Sequence, residues 1–314
     1  MGRAPPHHVG IIQILQHCGP ETFQQGRLLE VYKSCRALLV RLQPLLGPAA
    51  DMAQICQGLC RQNRCFLEAS SWKTIPWELT PKTFEDRLMD IIVDLPGIAE
   101  AVAVPNNRAA CLNKISALSA ALRRWRWEWH YGNTASVRRV HDGLDDKDGR
   151  KPLIAQMLQV RLEFDSQRLA LDILYYNAAL LYLMQLETAA RGQVPQPEML
   201  SPQDECYIRR QAAISNPLLL PGQVRFRCQA AAEAVTTLSC VTRLMATTPG
   251  RETVVTPYAI GIVYWVLRDQ LQLGGCLESV LSEYSVFHDA QRVFAGYFVS
   301  VGDSAVSLDN GAVV

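Results

Sequence analysis

Nothing between Pro152 and Gly192 breaks a helix. From Leu169 to Leu186 (LALDILYYNAALLYLMQL) the clearly polar positions are Asp172, Asn177 and Gln185. A helix apolar on nearly every face has to be buried on all sides. That requirement constrains the fold more than any other feature, because the remaining segments must wrap this one. Pro152 suits a first helical turn, where a missing N–H costs nothing. Gly192 suits a helix end. The run is long enough to raise the question of a bilayer, which about 20 apolar residues span. Asp172 and Asn177 would then sit in hydrocarbon, and Arg168 and Glu187 bracket the run closely. Burial inside protein, with no membrane, is therefore expected.

The chain has material for such a wrapping: 314 residues, 49% of them hydrophobic and 19% charged, enough for one large domain or two. With 31 basic and 30 acidic residues the net charge is +1, which argues against a surface made for nucleic acid or an acidic membrane. The N-terminus has no basic region followed by an apolar one, so no secretory signal is expected. Pro6 stands where myristoylation needs Ser or Thr, so no lipid anchor is expected either. Ten cysteines are scattered at 18, 35, 56, 60, 65, 111, 206, 228, 240 and 276. Their apolar helical surroundings point to reduced thiols that serve as small core side chains.

In order, the pattern predicts helices over 8–18, 21–46, 49–67, 82–95, 107–131, 152–192, 203–215, 221–245, 257–273 and 276–299. In the second, Leu28, Val31, Cys35, Leu38, Leu39 and Leu42 repeat at three and four residues and form the predicted buried face. In the fourth, Leu88, Ile91, Ile92 and Leu95 share a face before Pro96-Gly97. Residues 70–81 (SSWKTIPWELTP) read as a linker, 142–150 (DGLDDKDGR) as a solvated loop, and 192–202, with three prolines, as a second linker. No β pattern, low-complexity tract or strict repeat stands out. The expected fold class is all-α: a large irregular multi-helix domain around a long buried central helix. It covers 1–299, with a sub-boundary near 142–151 or 192–202 and a flexible tail over 300–314.

The fixed-spacing motifs of phosphate loops, dinucleotide folds, zinc proteases and nucleophile elbows are absent. Cys56, Cys60 and Cys65 lie close together, but 65 falls off the helix face of the other two and no histidine is near to complete a tetrahedral zinc site. Asp145, Asp146 and Asp148 have neither terpene-synthase nor EF-hand spacing, and read as a solvated loop. Arg123, Arg124, Arg126, Arg138 and Arg139, mixed with Trp125, Trp127 and Trp129, could stack on and neutralise nucleic acid. Trp125 and Trp129 are four apart, however, so a single face buries both and the arginines point elsewhere. Packing is the preferred reading. His7, His8, His17, His130, His141 and His288 show no pairing with a nucleophile. No catalytic, cofactor-binding or metal residue is assigned.

One ordered set of residues carries more. His8-x-Gly10 opens an apolar helix that ends at Cys18-Gly19-Pro20. There follow Arg36-Ala37-Leu38-Leu39, Phe66-Leu67, Trp72-Lys73-Thr74-Ile75-Pro76-Trp77-Glu78, and Arg87-Leu88-Met89-Asp90-Ile91-Ile92-Val93-Asp94-Leu95-Pro96-Gly97. This order resembles the fungal-specific transcription factor domain, the large helical regulatory region found downstream of a binuclear zinc cluster. The resemblance is strongest over 7–97 and only general beyond. By themselves the same residues read as scaffold. Trp72 and Trp77 can pin a connection to the core, each burying on the order of 200 Å². Pro76 is expected to hold Ile75 extended, and Asp90 with Asp94 to form a solvated helix edge.

The resemblance implies a nuclear regulator of metabolic or secondary-metabolite genes. The six-cysteine basic array of a zinc cluster is nowhere in this sequence, so direct DNA reading by that module is not expected. The chain then acts through a protein partner, belongs to a truncated gene model, or is a relative that has lost its DNA-reading half. The partner is a DNA-binding regulator or a second copy of the chain. Two other readings compete. One is a helical enzyme of terpene-cyclase type, with Tyr175, Tyr176 and Tyr182 lining an apolar pocket. The other is a small-molecule sensor with a site between helices.

Overall fold

Local signals place several helix ends. A computed structural model describes residues 7–42, 65–141, 153, 157, 160–193, 198–212 and 216–246. The helices are α1 (His7–Cys18), α2 (Gly26–Leu42), α3 (Ser70–Thr74), α4 (Phe84–Ile92), α5 (Leu95–Val102), α6 (Arg108–Asn133), α7 (Gln167–Ala190), α8 (Pro202–Ala212) and α9 (Arg227–Ala246). Short 3₁₀ turns lie at Pro20–Phe23, Phe66–Glu68, Ile75–Trp77, Pro105–Asn107 and Thr134–Ser136. The fold is all-α in class, with one two-stranded sheet among the described residues. The helices expected over 257–273 and 276–299, the loop at 142–150, the tail and most of 49–67 lie outside the described residues.

The chain divides into two compact units. The first comprises Met1–Pro48, Ala53–Trp125 and Leu186–Gln193. The second comprises Ala49–Met52, Arg126–Gln185 and Val194–Val314.

In the first unit, an aromatic cluster forms around Tyr32. Its ring stacks on Phe23 (5.5 Å between centroids) and Trp72 (5.8 Å) and lies 6.2 Å from Trp77. Phe66 meets Trp72 edge-on at 5.1 Å. The Tyr32 hydroxyl donates to the Trp72 carbonyl at 2.7 Å. Trp72 and Trp77 are both buried, as their position on a connection predicts. The connection itself is not a linker, because 70–77 is α3 followed by a 3₁₀ turn. Ile75 is helical (φ −57°, ψ −46°), not extended. Pro76 sits in the first turn of the next short helix, where no N–H is needed.

The buried face of α2 differs from the expected one. Leu29, Tyr32 and Arg36 are buried, whereas Leu28 and Val31 are each 49% exposed. A residue's step of about 100° separates the two faces, and the ring cluster and a salt bridge select the second. Arg36, 2% exposed, pairs with Asp90, which also takes Lys82. Lys73 pairs with Asp94. The expected solvated edge at Asp90 and Asp94 is thus a part-buried ion-pair network. Burial pushes the Asp94 carboxyl above its usual range, and its hydrogen bond to Lys73 opposes this.

Helix α4 starts at a capping box, in which Asp86 N–H donates to Thr83 Oγ1 (3.3 Å) and Thr83 N–H donates to Asp86 Oδ2 (2.9 Å). Leu88, Ile91, Ile92 and Leu95 are buried as expected. Pro96-Gly97 does not end the segment but opens α5. In α6, Trp125 is buried and its indole N–H donates to the Phe84 carbonyl at 2.8 Å. Gly192 closes α7 at φ +71°, with its N–H donating to Ala189 O and that of Gln193 to Thr188 O.

In the second unit, a strand interrupts the expected helix over 152–192: residues 153 and 157 are helical, and the long apolar helix runs from Gln167, while Pro152 lies outside the described residues. Ser166 Oγ accepts the N–H of Leu169 at 3.4 Å, so a serine marks the start of α7. Residues ahead of it form a strand, which corrects the absence of β structure expected from sequence. β1 (Val137–His141) pairs antiparallel with β2 (Val160–Phe164). Directly opposed residues share a sheet face, so Val137/Phe164 and Arg139/Leu162 lie on one side, and Arg138/Glu163 on the other. β2 packs on α9. By length and composition α7 could cross a membrane, yet 72% of its most apolar stretch is buried inside the protein. Asp172 and Asn177 are buried and hydrogen-bonded there.

Burial pushes the Tyr32 phenol up to about 12, with Arg36 pulling it back. A raised phenol supports the folded state fully below its unfolded value of about 10, and that support is lost as pH rises toward 12. Tyr32→Phe should cost about 1 kcal/mol at neutral pH, from the Trp72 carbonyl left without its donor. It should also remove roughly 2 to 3 kcal/mol of the alkaline loss. Denaturant unfolding at pH 7 and above pH 10 reads both. Trp72→Ala should cost about 3–5 kcal/mol at any pH.

Candidate functional site

The second unit holds charge and amide groups where the sequence pattern calls for apolar ones. Arg126, one of the arginines expected to point away from the core, is 0% exposed. It lies on α6 three residues before Trp129, so its guanidinium rests over the Trp129 ring (5.2 Å) and also over Tyr176 of α7 (5.6 Å). Cation–π contact of this kind strengthens when water is excluded. Nη2 donates to the Leu219 carbonyl at 3.3 Å and stands 4.0 Å from Glu233 Oε1. Nε and Nη1 have no hydrogen-bond partner among the described residues.

Glu233 is the centre of this arrangement. Oε1 accepts from Asn177 Nδ2 at 3.0 Å and Oε2 accepts from the Leu219 N–H at 2.8 Å. Asn177, 0% exposed, comes from α7, Glu233 from α9 and Leu219 from the segment before α9. One carboxylate therefore joins α6, α7, α9 and a loop. Beside it, the Trp129 indole N–H donates to Asp172 Oδ2 at 3.1 Å. Burial and the Arg126 charge both pull the His130 imidazole below its usual value, burial more strongly.

This cluster adjoins a small pocket of about 50 Å³ that is partly open to solvent. Gln229, Ala232, Glu233 and Thr236 line one side. Their spacing of three, four and seven residues is a single face of α9. Arg139 and Leu162, opposed across the sheet, line another, together with Val160. Met157, Ile208, Pro217 and Leu219 complete it. Strand alternation explains why Arg139 faces the pocket, whereas Arg138, 67% exposed, pairs with Asp165 at the surface. Burial lowers the Arg139 guanidinium below its usual value, and Glu233 opposes the shift. Gln229 Oε1 caps the start of α9 by accepting from Arg225 N–H (2.8 Å) and Phe226 N–H (3.1 Å). Gln229 is 1% exposed, and its Nε2 has no partner among the described residues. Thr236 Oγ1 donates back to the Ala232 and Glu233 carbonyls.

Several sequence expectations meet this geometry. Trp125 and Trp129 are both buried, while Trp127 is 36% exposed and stacks on Tyr131 at 6.0 Å. Arg123 and Arg124 are exposed. Tyr175, Tyr176 and Tyr182 are buried, but the pocket is lined by other residues. Cys65 is buried, whereas Cys56, Cys60 and the acidic loop residues Asp145, Asp146 and Asp148 lie outside the described residues. Among the described residues no group of three or more His, Cys, Asp and Glu is placed to hold a metal. Sequence reasoning missed Glu233 and Gln229. The available signal was a carboxylate and an amide within the alanine-rich run Cys228–Val235, where polar side chains have to find partners in the core.

Arg126→Met should destabilise the second unit by about 3–5 kcal/mol, because it leaves the Glu233 carboxylate buried without its counter-ion. Combined with Glu233→Gln, the loss should be smaller than the sum of the two single losses by about 1–3 kcal/mol. Urea titrations of the four proteins measure this coupling; strict additivity would exclude it. No protein-family model, curated protein or solved structure matches the chain.

Proposed function

We propose that this chain is a regulatory protein that works in the nucleus through contact with other macromolecules, in the manner of a fungal-specific transcription factor domain, and that the pocket of its second unit receives a small effector. The regulatory part rests on the ordered residues from His8 to Gly97. Their use in the fold supports it. Phe66, Trp72 and Trp77 pack among aromatic rings, and Arg36, Lys73, Asp90 and Asp94 are joined in ion pairs. These are scaffold duties.

The observation that carries the effector part is the state of Glu233. Both of its oxygens accept hydrogen bonds, and Arg126 balances its charge. A carboxylate so engaged is poorly placed to take a proton from a substrate. It is well placed to hold a pocket wall in one shape, which favours binding over turnover.

Fused to a heterologous DNA-binding domain, the chain should change transcription of a reporter several-fold, and a tagged chain should collect in the nucleus. A silent reporter together with nuclear exclusion would refute the regulatory reading.

A further inference from the structure

We propose that the solvent face of the C-terminal half of α6 docks a short acidic peptide of a partner protein, with Arg123 and Arg124 pairing its carboxylates and the exposed Trp127–Tyr131 stack receiving an aromatic side chain. The inference names the kind of partner for the regulatory reading above and rests on that reading for its biological role.

Helix geometry assembles the face. At about 100° per residue, positions 123, 124, 127, 130 and 131 fall within one arc of about 120°. The face therefore belongs to α6 alone. Leu122, Trp125, Arg126 and Trp129 take the buried side, and Arg123, Arg124, Trp127 and Tyr131 the exposed one. Tyr131 is 81% exposed and Trp127 36%. Their rings stack on each other at 6.0 Å, and His130 turns its ring across both, at 6.2 and 6.1 Å. A single exposed apolar side chain needs no explanation. Two rings already ordered against each other form an apolar platform, where a guest side chain meets little cost of ordering. Tryptophan, tyrosine and arginine are also the residues that carry most of the energy of protein interfaces.

Charge selects the guest. Arg123 Nε donates to the Ser119 carbonyl at 3.2 Å, and neither Arg123 nor Arg124 has a carboxylate partner among the described residues. Other exposed arginines do: Arg138 pairs with Asp165 and Arg191 with Glu187. Glu128 lies just beyond the edge of the arc. Two adjacent guanidinium groups beside an aromatic stack complement a segment in which acids flank a ring. A nucleic-acid strand fits less well, because it needs a basic track along its backbone. The same stripe continues toward the start of α6 as Asn113, Ser116 and Ala120, all exposed and uncharged, and the exposed residues just after Tyr131 are Gly132, Thr134 and Ala135.

The probes are fluorescein-labelled peptides EDFEDFED, EDAEDAED and KKFKKFKK and a labelled thymidine oligonucleotide, titrated by anisotropy into the purified full chain. EDFEDFED should bind at least about 10-fold more tightly than each of the other three, and its binding should weaken as salt is raised. Arg124→Glu and Tyr131→Ala should each weaken it about 10-fold, whereas Lys114→Glu, an exposed position on the opposite side of α6, should change it less than about 2-fold. Circular dichroism establishes that each variant is folded. A readout on the wild-type chain needs no variant: EDFEDFED carrying a photoreactive benzoylphenylalanine in place of one Phe should label residues within 123–131. Several results would overturn the proposal. EDAEDAED or KKFKKFKK could bind equally well, the oligonucleotide could bind more tightly, or labelling could be confined to other segments. Binding that appears only after Asp145, Asp146 and Asp148 are replaced by Asn would give the face to the chain's own acidic residues. An active reporter without peptide binding removes this face and keeps the regulatory reading. A silent reporter with tight, α6-directed peptide binding removes that reading and keeps the face.

Discussion

The second unit depends on one buried ion contact. A guanidinium removed from water has to recover its solvation from the protein, or the unit cannot close around it. Arg126 recovers it from four sources: the Glu233 carboxylate, the Leu219 carbonyl, and the faces of Trp129 and Tyr176. Glu233 in turn holds Asn177 and the Leu219 backbone. Removing any one member exposes the others to an unpaired burial, so the set acts as a unit. The alanines at 230, 231, 232 and 234 complement it, since they are buried and small enough for α9 to approach its neighbours closely.

The first unit solves a different problem with less buried charge. Its connections are short, and aromatic rings hold them. Tyr32 both stacks on Trp72 and donates to the Trp72 carbonyl, so one side chain fixes the ring and the backbone of α3 together. Arg36, a turn further along α2, extends the same face to Asp90. Lys33 and Lys82 each lie within 6 Å of the Trp77 ring, at 5.4 and 5.8 Å. The ordered residues from His8 to Gly97 therefore describe how a helical scaffold is tied, which is why they span helices and links alike.

The pocket draws on the same devices. Its shape is set by three regular devices: the face of α9 at 229, 232, 233 and 236, the alternation of β1, and the apolar side chains of β2 and α8. Its chemistry is set by two departures from pattern, an arginine on the inner face of a hairpin and a glutamine at the start of a helix. Burial and the Glu198 carboxylate push the Cys228 thiol up, away from reactivity.

What the sequence determined by itself was the class of fold and the rough place of its helices. A run as apolar as 169–186 has to be surrounded, and Gly192, Thr83 and Asp86 mark helix ends by chemistry that acts over three or four residues. The tertiary structure alone decided which face of α2 is buried, that 160–164 is a strand, and that Arg126, Arg139, Gln229 and Glu233 meet. The reason is range. Caps, turns and periodicity are local free energies, legible in a short window. A buried charge is tolerable only when a partner reaches it; for Arg126 the partners Leu219 and Glu233 arrive from more than ninety residues along the chain, and no local pattern records that arrival.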